Sequence, residues 1–125
     1  MELNEISGQI VDAAMKVHSA LGPGLLESAY EACLAYELRS RGLHVATQVE
    51  LPVVYEGVRL DVGYRIDLLI EGSVIVEVKS VDSLAAIHSA QLLSYLKLSD
   101  KRLGLLINFN VTRLKDGLKR LVNDF

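Results

Sequence analysis

Apolar residues recur at helical spacing from Ile6 through Ile10, Ala13 or Ala14 and Val17 to Leu21, so a first helix is predicted there, with Asn4 as its cap. Leu21-Gly22-Pro23-Gly24 ends it, because Gly22 can enter the left-handed region and Pro23 cannot extend the hydrogen-bond ladder. A second helix is expected from about Leu25 to Arg41, with Leu26, Tyr30, Cys33 or Leu34, Glu37 and Leu38 on its inner side and Gly42 as its terminator. The period then changes. Val45 to Val54 and Val58 to Ile70 are rich in β-branched and aromatic residues and broken by Pro52 and Glu56-Gly57, which predicts strands. Glu71-Gly72 predicts a tight turn, and Ser73 to Lys79 is a strand too apolar for an open edge, which places it in the middle of a sheet. Leu84, Ile87, His88, Gln91, Leu92, Tyr95 and Leu98 mark a helix from about Ser83 to Ser99, and Leu103 to Phe109 reads as a buried strand. Strand, helix and strand imply a right-handed crossover. The tail from Val111 to Phe125 is mixed: Leu118, Arg120 and Val122 alternate as in a short strand, and a helical reading from Leu114 stays open.

Every connection is short and no repeat or low-complexity stretch interrupts the 125 residues, so one α/β domain over 1–125 is expected. A domain of this size buries roughly two-thirds of its unfolded surface and needs no disulfide. The one cysteine, Cys33, fits a reducing compartment, no apolar run reaches membrane-spanning length, and the first five residues are acidic in balance; a soluble, cytoplasmic protein is expected. The net charge of −3 conceals an uneven distribution. Residues 1–37 carry Glu2, Glu5, Asp12, Glu27, Glu31 and Glu37 against Lys16. Residues 97–120 carry Lys97, Lys101, Arg102, Arg113, Lys115, Lys119 and Arg120 against Asp100 and Asp116. The basic part either gives one face a field suited to phosphates or is an ordinary solvated surface.

Candidate chemistry lies in the predicted central strand. Glu77 and Lys79 are two apart and leave one face, while Val74, Val76 and Val78 leave the other. Pairing Ile66–Ile70 with Ser73–Glu77 across the Glu71-Gly72 turn brings Asp67 beside Glu77. Two converging carboxylates, completed by water and substrate phosphate, describe a Mg²⁺ or Mn²⁺ site, and a lysine at its rim can stabilise a phosphate or orient attacking water. Glu27, in the first turn of the second helix, can reach the same site. His88, Gln91 and Tyr95 fall on one helical stripe facing the sheet; Gln91 is a candidate to orient Lys79 or a phosphate, and Tyr95 to hold Glu27 or a ligand oxygen.

Each feature has a plainer reading. Glu-x-Lys is common on solvated strands as a charge pair. His88 has no His or Cys at ligand spacing and reads first as a packed, hydrogen-bonded residue. Tyr30 and Tyr95 suit core aromatics with tethered hydroxyls, and Gly22 and Gly24 suit turns. Ser28 and Ser80 lack a base and acid for a nucleophilic triad.

Taken in order, these residues resemble the PD-(D/E)XK nuclease superfamily, and more closely its small branch of GxxExxY proteins. Gly24-Leu25-Leu26-Glu27-Ser28-Ala29-Tyr30 is similar to the name-giving motif, Asp67 to the first acidic position, Glu77-Val78-Lys79 to Glu-x-Lys, and Gln91 to Tyr95 to a helical Gln-x-x-x-Tyr element. Leu105 to Asn110 is also typical of the branch, whereas Val62 to Ile66 lacks the proline of the superfamily's name. The resemblance implies a restriction-endonuclease-like core, a central mixed β-sheet flanked by helices, with an N-terminal helical hairpin. It implies metal held by Asp67, Glu77 and the Val78 carbonyl, and by Glu27 directly or through water, with Lys79 acting on the attacking water or scissile phosphate and Tyr30, His88 and Tyr95 in support. The function expected is a metal-dependent nuclease on DNA or RNA; the alternative is a binding module that retains the fold without turnover. So small a core leaves little surface for reading bases, so a homodimer or a separate targeting protein is expected to choose the target.

Overall fold

A computed structural model describes residues 1–123. Five strands form one mixed sheet in chain order: β1 (Val45–Tyr55), β2 (Val58–Ile70), β3 (Val74–Lys79), β4 (Leu103–Asn108) and β5 (Leu118–Val122). All neighbours are antiparallel except β3 and β4, which run parallel and are joined by α3 (Ala86–Ser99). Helices α1 (Leu3–Leu21) and α2 (Glu27–Ser40) cover one face, where Ile6, Ile10, Tyr30, Leu34 and Leu38 share a core with Leu68, Val74, Val76, Leu105 and Ile107. On the other face Leu92, Tyr95 and Leu96 of α3 pack with Ile66, Ile75 and Leu106. Both faces of β3 and β4 are therefore dry, which is why their sequences show continuous apolar runs rather than alternation.

Several element ends differ from the sequence expectation. Helix α1 begins at Leu3, so Asn4 lies inside the first turn instead of capping it; its carbonyl accepts from Ser7 and its side chain from Arg120. Leu26 precedes α2 and is exposed, and Leu34 rather than Cys33 faces the core. Helix α3 starts at Ala86, and Ile87 and Leu98, two residues of its apolar pattern, point to solvent. Both readings of the tail hold in part: a 3-10 turn over Leu114–Gly117 leads into β5, and residues 124–125 lie outside the described residues. Gly117 has no alternative, since a Cβ there would overlap the Asn108 carbonyl oxygen.

Glu37, half-buried between α1 and α2, takes Lys16 at 3.2 Å and Arg41 at 3.0 Å, and Arg41 also reaches Asp12 at 2.7 Å. Beyond the body, the outer halves of β1 and β2 continue as a two-stranded arm with a register shift between Leu51 and Val53. No helix among the described residues is long and apolar enough to cross a membrane.

Candidate active site

The β2–β3 ladder ends at Leu68 opposite Val76, and the next residues continue its register through side chains. The Asp67 N–H donates to Glu77 Oε2 at 2.8 Å, and the Val78 N–H donates to Asp67 Oδ2 at 2.9 Å. Leu68 and Ile70 enter the α1–α2 core whereas Ile66 enters the α3 core, so β2 turns its apolar side over at Asp67. Opposite this point Gln48 takes a left-handed conformation, φ 50°. A residue's N–H and C=O leave a strand on the same side, so the Val78 carbonyl faces the gap into which Asp67 reaches. The sheet thus opens where its two carboxylates meet.

Helix α2 brings two more acids to this opening. Glu27 accepts from the Ser80 N–H at 3.2 Å, while the Ser80 hydroxyl donates to the Leu25 carbonyl at 2.6 Å, which fastens the end of β3 to the start of α2. Glu31, one turn further, accepts from the Gln48 amide at 2.8 Å, and that amide also approaches Asp67 Oδ1 at 3.4 Å. Neither Glu31 nor Gln48 stood out in the sequence as a site residue. The available signal for Glu31 was its i,i+4 spacing from Glu27, which sets both on one helix face; Gln48 carried none.

Lys79 is half-buried and, among the described residues, has no carboxylate within ion-pair distance. Its strand end is held instead by Asn108, which is buried, accepts from the Val81 and Asn110 N–H groups at 3.0 and 3.2 Å, and donates to the Val81 carbonyl at 3.0 Å. Gln91 is half-buried on α3 with Tyr95, whose ring lies 5.8 Å from that of Tyr64. The expected bond from Tyr95 to Glu27 is not formed; the two residues belong to elements on opposite faces of the sheet. His88 caps α3 by accepting the Ala85 N–H on Nδ1 at 2.9 Å. Tyr30 lies outside the opening: it stacks on Phe109 at 4.5 Å, donates to the Gly22 carbonyl and accepts the Leu25 N–H at 3.1 Å. It shapes the loop that starts α2 and so fixes where Glu27 emerges.

Burial and proximity raise the acids' proton affinity. Glu77, 4% exposed, has its pKa pushed up to about 8, first by burial and then by the Asp67 charge, with the Asp67 N–H and Lys79 opposing. Asp67 is raised by burial against the Val78 bond and the Lys79 charge, and Glu31 is raised by burial and then by Asp67. The Tyr95 hydroxyl is raised by burial and by Glu77. Such mutual repulsion in a low-dielectric opening is relieved by a proton or a cation. The donor set is all hard oxygen and suits Mg²⁺ or Mn²⁺. Among the described residues no three His, Cys, Asp or Glu side chains converge as a ready-made cage, so the shell would take the Val78 carbonyl, water and substrate oxygens alongside Asp67 and Glu77.

The basic residues of the 97–120 segment are not all at this end of the sheet. Parallel β3 and β4 put Lys79 beside Asn108, whereas Lys101 and Arg102 precede β4 at the opposite end, and Arg113 pairs with Asp116 at 3.7 Å. Lys101 and Arg102 are thus separated from Lys79 by the length of β4. The sequence model of a family described as the PD-(D/E)XK nuclease superfamily matches residues 4–121. No curated protein and no solved structure gives a significant match.

Proposed function

The chain belongs to the PD-(D/E)XK nuclease superfamily, and we propose that within it the protein is a divalent-metal-dependent phosphodiesterase acting on DNA or RNA, of the GxxExxY branch. The observation that carries this reading is the meeting of Asp67 and Glu77 where β2 leaves β3, with Lys79 two residues on and without an ion-pair partner among the described residues. A bound Mg²⁺ or Mn²⁺ would supply an acidified water and neutralise phosphate charge. Asp67, Glu77 and the Val78 carbonyl would hold it, with Glu27 placed to act through water. Lys79, on the face of β3 that carries Glu77, presents an ammonium to a non-bridging phosphate oxygen or to the attacking water. Gln91 orients the phosphate from α3. Exposed, unpaired Cys33 is in keeping with a cytoplasmic location.

A second reading also has an observation behind it. Asp67 and Glu77 each accept a backbone N–H from the neighbouring strand, so protein groups already partner both carboxylates, as a binding module that keeps the fold without turnover would require. Cleavage assays with Mg²⁺ and Mn²⁺ on single- and double-stranded DNA and RNA, run beside Glu77→Ala and Lys79→Ala, separate the two. Metal-dependent cleavage lost in both variants supports the enzyme; equal background in all three proteins removes it.

A further inference from the structure

The outer half of the β1–β2 hairpin has no layer over it. Residues 58–65 of β2 are exposed throughout, beyond the last pairing with β3. Tyr55 pairs with Val58, Val53 with Leu60 and Leu51 with Tyr64, and cross-strand partners share a face, so these side chains form one stripe along the arm. At the inner end Tyr64 borders a groove whose α3 wall includes Ile87 and Leu98. Tyr55 is 65% exposed and Ile87 70%. Stripe and groove make one apolar patch from the hairpin tip to α3.

A two-stranded ribbon with no cover is marginal in water. Tyr55, Val58, Leu60, Tyr64, Ile87 and Leu98 together expose on the order of 600 Å², more than most monomers leave in one patch and comparable to the apolar part of an interface of about 800 Å² per partner. Four charges of the arm are matched within it, Glu50 with Arg65 at 3.2 Å and Asp61 with Arg59 at 3.5 Å, while Glu56 at the tip makes no ion pair among the described residues. Phosphate would find both arginines engaged, whereas a second copy meets no unmatched charge from these pairs. Edge-to-edge extension along β1 is hindered by Pro52, which has no N–H, and by the register shift opposite it. The exposed apolar side chains favour packing face to face.

We propose that the protein forms a homodimer through this patch, the arm of each copy lying on the arm and α3 groove of the other about a twofold axis. Gln91 and Tyr95 line the same groove, so the partner's arm would border the α3 side of each candidate site, seated on the Ile87 and Leu98 wall. The inference rests on the exposed surface and is independent of the chemistry proposed above.

Sedimentation of the full chain over a concentration series tests it. A dimer is expected, and Tyr55→Glu/Val58→Glu/Leu60→Glu is expected to weaken it at least tenfold with the circular dichroism spectrum unchanged. Should that variant fail to fold, Cys33→Ser/Val58→Cys treated with a short bismaleimide is expected to give a covalent dimer. A wild type that stays monomeric up to about 0.1 mM overturns the proposal. So does a dimer that keeps its affinity in the triple variant, or one that is lost only on Tyr36→Glu in the α1–α2 groove.

Discussion

Asp67 and Glu77 hold one another through the backbone: the Glu77 carboxyl accepts the Asp67 N–H at 2.8 Å, while Asp67 accepts the N–H of Val78, the residue after Glu77. The two strands are thereby tied at the point where their ladder stops. The Glu77 pKa of about 8, against 4.5 for a free side chain, means that the folded state binds its proton the more tightly. Its stabilising contribution is complete below about pH 4.5 and is lost as pH rises to and through about 8. Raised values at Asp67 and Glu31 act with the same sign. Chemical denaturation across this window is expected to show stability falling by up to a few kcal/mol. Glu77→Gln, which cannot ionise, should flatten the curve, and a wild-type profile that rises over the same window would contradict the assignment.

Metal and proton compete for the same oxygens, so the cation effect should have the opposite slope. Mn²⁺ is expected to raise the melting temperature more above about pH 8, where Glu77 is ionised, than near pH 4.5. Asp67→Asn should abolish the increment at both. An equal increment in wild type and variant would place any bound cation elsewhere.

Lys79 offers a cleaner separation of chemistry from stability. Having no ion-pair partner among the described residues, it has no salt bridge to lose, and Lys79→Met is expected to change unfolding free energy by less than about 1 kcal/mol while cutting metal-dependent cleavage by about 10²-fold or more. A large loss of stability would instead make Lys79 a structural countercharge to Asp67 and Glu77.

The support behind Lys79 predicts the reverse pattern. Asn108 makes three hydrogen bonds with the Val81 and Asn110 backbone and is buried, so Asn108→Ala leaves several polar groups without partners. A cost of about 2–4 kcal/mol is expected. Hydrogen exchange should rise first at residues 79–82.

The nearness of Asp67 to Glu77 was legible from the short turn at Glu71-Gly72, but the expected pairing of Ile66–Ile70 with Ser73–Glu77 is one residue out. Ser73 belongs to the turn, Ile70 lies opposite Val74 and Leu68 opposite Val76. The reversal of the apolar side of β2 at Asp67 does not follow from alternation. The helices and the central place of β3 were legible from period and from unbroken apolarity. Glu31 was hidden because an acid on a helix face reads the same whether it meets water or another carboxylate. Tyr30 and Tyr95 carried equal signals, and only packing separates the one that stacks on Phe109 from the one near Glu77. The basic segment left two readings open, a single positive face or a solvated surface, because α3, β4 and β5 carry neighbouring residues to different ends and edges of the sheet.

Gln48 combines a strained backbone with a bridging side chain, and two substitutions divide these. Its φ of 50° lies where a side chain costs about 1–2 kcal/mol relative to glycine, and its amide is shared between Glu31 and Asp67. Gln48→Ala removes the bridge and keeps the strain; Gln48→Gly removes both. The bridge donates to two carboxylates that otherwise repel, and it lowers the proton affinity of each, so its loss matters most where they are ionised. Gln48→Ala is therefore expected to be less stable than wild type, increasingly so at alkaline pH, and Gln48→Gly to exceed Gln48→Ala by about 1 kcal/mol at every pH. Urea unfolding of the three proteins measures both differences. If alanine and glycine variants coincide, the left-handed backbone at residue 48 carries no strain in the folded protein.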